Sequence, residues 1–263
     1  MAYTVNCSIL LTELPLLERP AAAKKAGFDN VEFWWPFAEA VPADAEVEKF
    51  VSSLSDAGVQ LTGLNFLAGE MPAGARGIVS WVGREKEFAD NIDVIAAIGQ
   101  ATGCRGFNAL YGNRQDGQSA AEQDELALTN LVAAARGVAK IDGTVLLEPV
   151  SGTEAYPLKT AADALGVIAK TQEAGVDNVK LLADFYHMAV NGDDVADVVN
   201  KHAADFGHIQ IADNPGRGAP GTGNLPLGEW IESSRAKGYT GPIGLEYKAS
   251  SDSAFDWLIR QGA

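Results

Sequence analysis

Cysteine, histidine and long apolar runs are what this chain has least of, and each shortage excludes something. Its two cysteines, Cys7 and Cys104, stand far apart, with no CxxC pair and no neighbouring histidine. That excludes a disulfide framework and a structural zinc site, and leaves two reduced, partly buried thiols. Basic residues are scarce as well: 20 Lys and Arg face 35 Asp and Glu, a formal charge of −15. A field of that sign repels phosphate backbones, so nucleic acid is excluded as a general partner. No stretch approaches the roughly 20 apolar residues of a membrane span. The opening MAYTVNCSILLTELPLL has no basic leader, and Asn6, Thr12 and Glu13 interrupt its apolar run. The expectation is a cytoplasmic protein with no membrane partner; a homo-oligomer is left open.

What the chain does have is apolar content, 47% of its residues, ample for a sizeable core. Short β-rich runs alternate with segments of helical period to the end of the chain, with no linker or break in composition. The spacing predicts eight strands: Val5 to Ile9, Val31 to Phe33, Leu61 to Phe66, Gly106 to Tyr111, Thr144 to Val150, Val179 to Phe185, Gly207 to Ala212 and Ile243 to Tyr247. Helices are predicted over Leu14 to Ala26, Asp44 to Ala57, Arg84 to Ala101, Ala121 to Lys140, Leu158 to Ala174, Val195 to Ala204, Leu227 to Lys237 and Ser253 to Ile259. Recurring phrases (KKAGFDNVEF, SDAGVQLTGL, QEAGVDNVKL) end a helix on a glycine and return the chain to the next strand. An open doubly wound sheet usually has a glycine-rich turn after its first strand, and here that turn reads SILLTEL. Eight repeats in about 250 residues therefore predict an α/β fold, a (β/α)8 TIM barrel, as a single domain over residues 1–263.

In such a barrel the C-terminal strand ends converge on one mouth. The polar residues at those ends are Glu32, Asn65, Asn108, Glu148, Asp184, Gln210 and Glu246. A carboxylate at a strand end is ordinarily a cap or an ion-pair partner. Several converging in a low-dielectric mouth would be protonated or expelled unless a cation neutralises them. Three carboxylates plus an amide oxygen make a hard, all-oxygen shell, suited to Mg²⁺ or Mn²⁺ rather than zinc.

His187 follows Asp184 and either faces a substrate or serves packing. His208 shares strand parity with Gln210 and points into the barrel or the layer beneath the site. His202 reads as a solvated connection residue. The run DNPGRGAPGTGN, Asp213 to Asn224, does not match a phosphate-loop pattern. It reads as a mobile lid, with Arg217 either pairing with a substrate carboxylate or standing as a solvated charge. Trp34 and Trp35 either wall the pocket or pack beneath it.

The phrases LLEPV, LLADFYHM, GHIQIADNPGRGAPGTG and GLEYK, with the opening TELPLLERPAAAKKAGFDNVEFWWPF, closely resemble the hydroxypyruvate isomerase family of the xylose-isomerase-like barrels. The resemblance runs from about residue 3 to about residue 250. It implies a divalent metal held by Glu148, Asp184, Gln210 and Glu246, with Glu148 and Glu246 also acting as the acid/base pair. His187 and Arg217 match positions that contact substrate, and Asn65 and Asn108 are expected to contact it too. Related ketose epimerases commonly carry histidine where Gln210 stands. The implied activity is interconversion of hydroxypyruvate and tartronate semialdehyde, on a small hydroxy or keto acid. A longer keto acid or ketose, or a dehydration on the same scaffold, stays open. One departure is the loop Val150 to Tyr156, which lacks the Asn-x-Arg-Asp phrase of many members and bears on the substrate.

Overall fold

The computed structural model describes residues 3–260, so the outermost residues of the expected 1–263 domain lie outside the described residues. Eight parallel strands close into a barrel in sequence order: β1 (Tyr3–Asn6), β2 (Asn30–Phe33), β3 (Gln60–Asn65), β4 (Gly106–Asn108), β5 (Thr144–Leu147), β6 (Val179–Asp184), β7 (Phe206–Ile211) and β8 (Ile243–Leu245). Closure comes from β8 pairing with β1 through Ile243 with Tyr3 and Leu245 with Val5. The helices are α1 (Arg19–Lys25), α2 (Asp44–Ala57), α3 (Glu85–Thr102), α4 (Ala120–Ala139), α5 (Ala161–Glu173), α6 (Phe185–Val190), α7 (Val195–His202), α8 (Leu227–Ala236) and α9 (Asp256–Arg260). Among the described residues, no helix is long and apolar enough to cross a membrane.

Local chemistry sets the boundaries. Helix α4 begins on a capping box, in which Ser119 accepts from the Glu122 N–H and Glu122 accepts from the Ser119 N–H. Thr160 and Asp163 do the same for α5. Helix α2 ends on Gly58 in the left-handed conformation. The first strand stops at Asn6 rather than running to Ile9, because the Asn6 side chain accepts from the Ser8 N–H and turns the chain. Helix α1 starts at Arg19, after a 3₁₀ turn at Leu16–Glu18, because Arg19 is followed by a proline suited only to a first turn. The last helix begins at Asp256, beyond a turn that covers the expected start at Ser253.

Alternation along each strand sends one set of side chains out to the helices. Val5, Val31, Phe107, Val145, Leu147, Ile209, Ile211 and Leu245 join the core there with Phe50, Ile95, Leu131 and Val199. The other set points inward and is largely polar. Thr4 and Thr62 share a hydrogen bond, and Asn6, Glu32, Asn108, His208 and Gln210 gather around a small void with Leu146 and Leu182 among its apolar neighbours. Gly244 makes room for this cluster: a Cβ there would fall 2.7 Å from Gln210 Cγ and 2.9 Å from Glu32 Oε1.

Candidate active site

Beneath the mouth, the buried Glu32 carboxylate accepts three hydrogen bonds. Gln210 Nε2 donates at 2.7 Å and Asn6 Nδ2 at 3.1 Å to Oε1, and His208 Nε2 lies 2.7 Å from Oε2. A carboxylate can only accept, so the Gln210 amide must present its nitrogen to Glu32. That leaves Gln210 Oε1 buried and without a partner.

At the mouth, Asp184 ends β6 and caps α6 at once. Its Oδ1 accepts from the His187 N–H at 3.0 Å, while Oδ2 is buried and unpartnered. This short helix was not expected, since the predicted strand runs to Phe185 and no helix was predicted directly after it. The available signal was an aspartate three residues before His187, an N-cap spacing. Helix α6 turns His187 over the site, with Nε2 3.8 Å from Asp184 and 3.9 Å from Glu148. The Ser151 N–H donates to His187 Nδ1 at 3.1 Å. In the neutral ring the proton therefore sits on Nε2, facing the carboxylates. Burial first, with Arg217 and Arg76 adding and Asp184 opposing, pushes His187 down to about 4, so the ring is neutral at ordinary pH.

Glu148 and Glu246 stand just beyond β5 and β8. Asn108 Nδ2 donates to Glu148 Oε2 at 2.7 Å, so the Asn108 amide reaches the site through that carboxylate. Trp34 Nε1 donates to Glu246 Oε1 at 2.8 Å. Trp34 is thus a hydrogen-bond donor as well as a wall, a role its apolar surroundings in the sequence did not signal, although a buried indole N–H always needs a partner. Burial, with the charges of Glu246 and Asp184 adding, raises Glu148 well above the usual carboxylate range, against the hydrogen bond from Asn108. Burial also pushes Glu246 up to about 8; Arg217 and Trp34 pull it down, and Asp184 and Glu32 push it further up.

Arg217 leans into this cluster, its Nη2 3.3 Å from Glu246 Oε2 and 3.9 Å from Asp184 Oδ2. Its guanidinium also sits 5.6 Å over the Tyr186 ring. Burial by itself would lower its proton affinity; the carboxylates of Glu246, Asp184 and Glu148 outweigh that and raise it. The loop carrying Arg217 is held rather than free, which corrects the expectation of a mobile lid. Asp213 accepts from the N–H groups of Gly221 and Gly223 on one oxygen and of Asn214 and Leu225 on the other, all within 3.0 Å. A Cβ at Gly223 would fall 2.6 Å from Asp213 Oδ1, so only glycine lets this staple close. Lys248 N–H then ties the loop to the end of β8 through Arg217 O at 2.7 Å.

A cavity of about 230 Å³ lies over these groups. Glu148, Glu246, His187, Arg217 and Asn65 line it, whereas Asp184, Gln210 and Asn108 are not among its lining residues. His202, half-buried at the end of α7, is not part of the cavity wall. Val150, Ser151 and Gly152 of the loop expected to bear on the substrate line the cavity, as do Arg76 and Tyr186, which were not singled out from the sequence because a loop or a helix start carries no periodic signal.

The donor set suits a cation. Asp184 Oδ2, Gln210 Oε1 and Asn108 Oδ1 are buried with no hydrogen-bond partner, and Glu246 Oε2 faces only the Arg217 guanidinium, at 3.3 Å. An orphaned buried polar atom costs about 1–3 kcal/mol, so three together beside a carboxylate pair mark a place built for a ligand. Ligand atoms of Glu148, Asp184 and His187 lie within 4.8 Å of one another. The proton on His187 Nε2 makes that ring a donor, and the free oxygen of Gln210 is the better fourth ligand.

The family model described as "Xylose isomerase-like TIM barrel" matches residues 20–261. A Streptomyces coelicolor protein named "Putative hydroxypyruvate isomerase" is 50% identical over 97% of this chain and 95% of its own length. "Hydroxypyruvate isomerase" of Escherichia coli is 30% identical, over 98% of each chain. The "2-oxo-tetronate isomerase" of Cupriavidus necator is 31% identical, over 97% of this chain and 96% of its own. With an eight-stranded barrel whose mouth gathers these carboxylates, and with relatives matched along almost their whole length, the chain belongs to the hydroxypyruvate isomerase family of the xylose isomerase-like TIM barrels.

Proposed function

We propose that this chain is a divalent-metal-dependent isomerase that interconverts hydroxypyruvate and tartronate semialdehyde. The observation that carries the reading is a pair of glutamates, Glu148 after β5 and Glu246 after β8, on the wall of one small cavity, each with raised proton affinity. Moving a carbonyl to the adjacent carbon needs one group to take a proton and another to return it. Two neighbouring carboxyls that resist joint ionisation supply one base and one acid.

Glu148, Asp184, Gln210 and Glu246 would hold the metal, Mg²⁺ or Mn²⁺ by the hardness of four oxygen donors. When bound, the cation supplies the positive charge that makes the C–H beside the carbonyl more acidic. One glutamate takes the proton from the hydroxymethyl carbon and leaves an enediolate. The other gives a proton to the neighbouring carbon, while the hydroxyl proton moves between the two oxygens. His187 Nε2–H donates to one of those oxygens, held in that tautomer by Ser151. Asn65 faces the substrate from the cavity wall, Asn108 holds Glu148, and Arg217 offers its guanidinium edge. The two glutamates end a turnover with exchanged protonation states, so solvent must reset them.

A four-carbon substrate is the second reading, favoured by the 31% identity to the relative named for 2-oxo-tetronate. The test is NMR of hydroxypyruvate and of the four-carbon acid incubated with protein plus Mg²⁺, Mn²⁺ or chelator. Cation-dependent isomerisation of either acid is expected. No turnover of either acid with Mn²⁺ present would overturn the reading.

A further inference from the structure

We propose that Arg76, on the loop between β3 and α3, anchors the substrate carboxylate and sets the chain length the site accepts. The inference rests on the keto-acid reading above and names the group that recognises the acid. Three cations line the inner cavity of about 230 Å³: Arg76, Arg217 and Lys248. Arg217 is already divided between Glu246 and Asp184, at 3.3 and 3.9 Å, and its Nε donates to Glu246 O at 3.2 Å. Lys248 is exposed, where water and salt screen its charge.

Arg76 differs from both. It is half-buried, and its Nη1 is clamped by Ala75 O at 2.7 Å and Met71 O at 3.3 Å. Its Nε and Nη2 make no hydrogen bond to protein among the described residues, and no carboxylate there pairs with it. Those two nitrogens form the fork that takes a carboxylate through two parallel hydrogen bonds. The guanidinium is therefore oriented, half-buried and without a counterion among the described residues, in a cavity whose wall also carries Glu148 and Glu246.

Its position also sets a limit on length. A second cavity of about 960 Å³, walled by Trp35, Phe37 and Leu67, shares Trp34, Met71 and Arg76 with the inner one. These three residues stand between the two spaces and border both. A carboxylate docked on Arg76 leaves its chain only the inner chamber in which to reach Glu148 and Glu246. Removing the guanidinium should join the inner chamber to the larger space and admit longer acids.

The test compares wild type, Arg76→Lys, Arg76→Ala and Lys248→Ala, each with Mn²⁺, on hydroxypyruvate, the four-carbon 2-oxo acid and the carboxylate-free dihydroxyacetone. Arg76→Ala is expected to raise KM for the acids about 10- to 100-fold, with a smaller change in kcat. The preference for acid over dihydroxyacetone should collapse, and the ratio of four- to three-carbon turnover should rise. Arg76→Lys should recover part of the affinity, as a point charge without the fork. Thermal unfolding of each variant separates lost binding from lost folding. An Arg76→Ala KM within 3-fold of wild type, or the full KM loss appearing in Lys248→Ala instead, would overturn the proposal. Should wild type turn over neither acid, the isomerase reading fails by itself. Binding of pyruvate, followed by ligand-observed NMR, then decides the anchor: binding to wild type and not to Arg76→Ala supports it, and equal binding or none rejects it.

Discussion

The indole N–H of Trp34 donates to Glu246 Oε1 at 2.8 Å across 212 positions of sequence, and the other oxygen of Glu246 faces Arg217 at 3.3 Å. The hydrogen bond holds one carboxylate oxygen and lowers the proton affinity that burial raises. Trp34→Phe keeps the wall and removes the donor. On the proposed mechanism, kcat should fall about 10-fold, the loss of a hydrogen bond to a charged group. The ionisation belonging to Glu246 should move to higher pH in the kcat/KM profile. An unmoved profile would remove Trp34 from any part in tuning Glu246.

Replacing Glu148 or Glu246 by Gln should abolish turnover, by at least roughly 10²–10⁴-fold for loss of an acid/base group. Glu148→Gln should not unfold more easily in the absence of metal, because burial and the charges of Glu246 and Asp184 already work against an ionised Glu148. In D₂O the wild-type product should carry deuterium at the carbon that receives the proton. Product free of deuterium would point to a shielded transfer in place of solvent-exchanging glutamates.

Stability should depend on pH in two windows. Glu246 is raised from an ordinary carboxylate value to about 8 in the fold, so its contribution is complete at low pH and is lost as pH rises toward 8. Glu148 acts in the same direction. His187 is lowered to about 4, so its contribution runs the other way, growing up to pH of about 6.5. Above that value only the carboxylates act. The metal-free protein should therefore lose up to about 2 kcal/mol from Glu246 alone between pH 6.5 and 8. Added Mn²⁺ should raise Tm more at pH 8 than at pH 6.5, since binding displaces protons. A Tm rise independent of pH would place the cation elsewhere.

Glu32 should govern metal affinity without touching the metal. Its carboxylate orients Gln210 through Nε2 at 2.7 Å and also receives Asn6 and His208. Glu32→Gln opposes an amide to donors, and about 3 kcal/mol of stability should go with it. Affinity for Mn²⁺, read by calorimetry, should fall about 10- to 100-fold. Unchanged affinity in a folded variant would mean that Gln210 is not held for the metal by Glu32.

Much of this architecture was legible in the chain itself. Glycines that stop helices at Gly58 and Gly175 and the repeated Ala-Gly phrases announce the alternating units, and all eight expected strands exist. Their ends were less legible. The run through Phe185 looked like strand, yet the Asp184 side chain caps a helix there, a contest between two local patterns that composition does not decide. The glycine-rich run after β7 looked mobile because glycine and proline suggest freedom; Asp213 withdraws that freedom by accepting four backbone N–H groups.

By itself, the sequence determined the repeating strand–helix period and the residues that could carry chemistry, because a carboxylate at the end of an apolar strand stands out against its neighbours. Glu148, Asp184, Gln210 and Glu246 were visible in that way. Only the tertiary structure decided the partners: Trp34 with Glu246, Ser151 with His187, Glu32 with His208 and Gln210, and Arg76 with backbone carbonyls but no carboxylate among the described residues. The physical reason is that hydrophobic period records which face of an element is buried, whereas the first three of these pairings form across a barrel, between residues 36 to 212 positions apart. Closure of the sheet sets those distances, and nothing local in the chain encodes them.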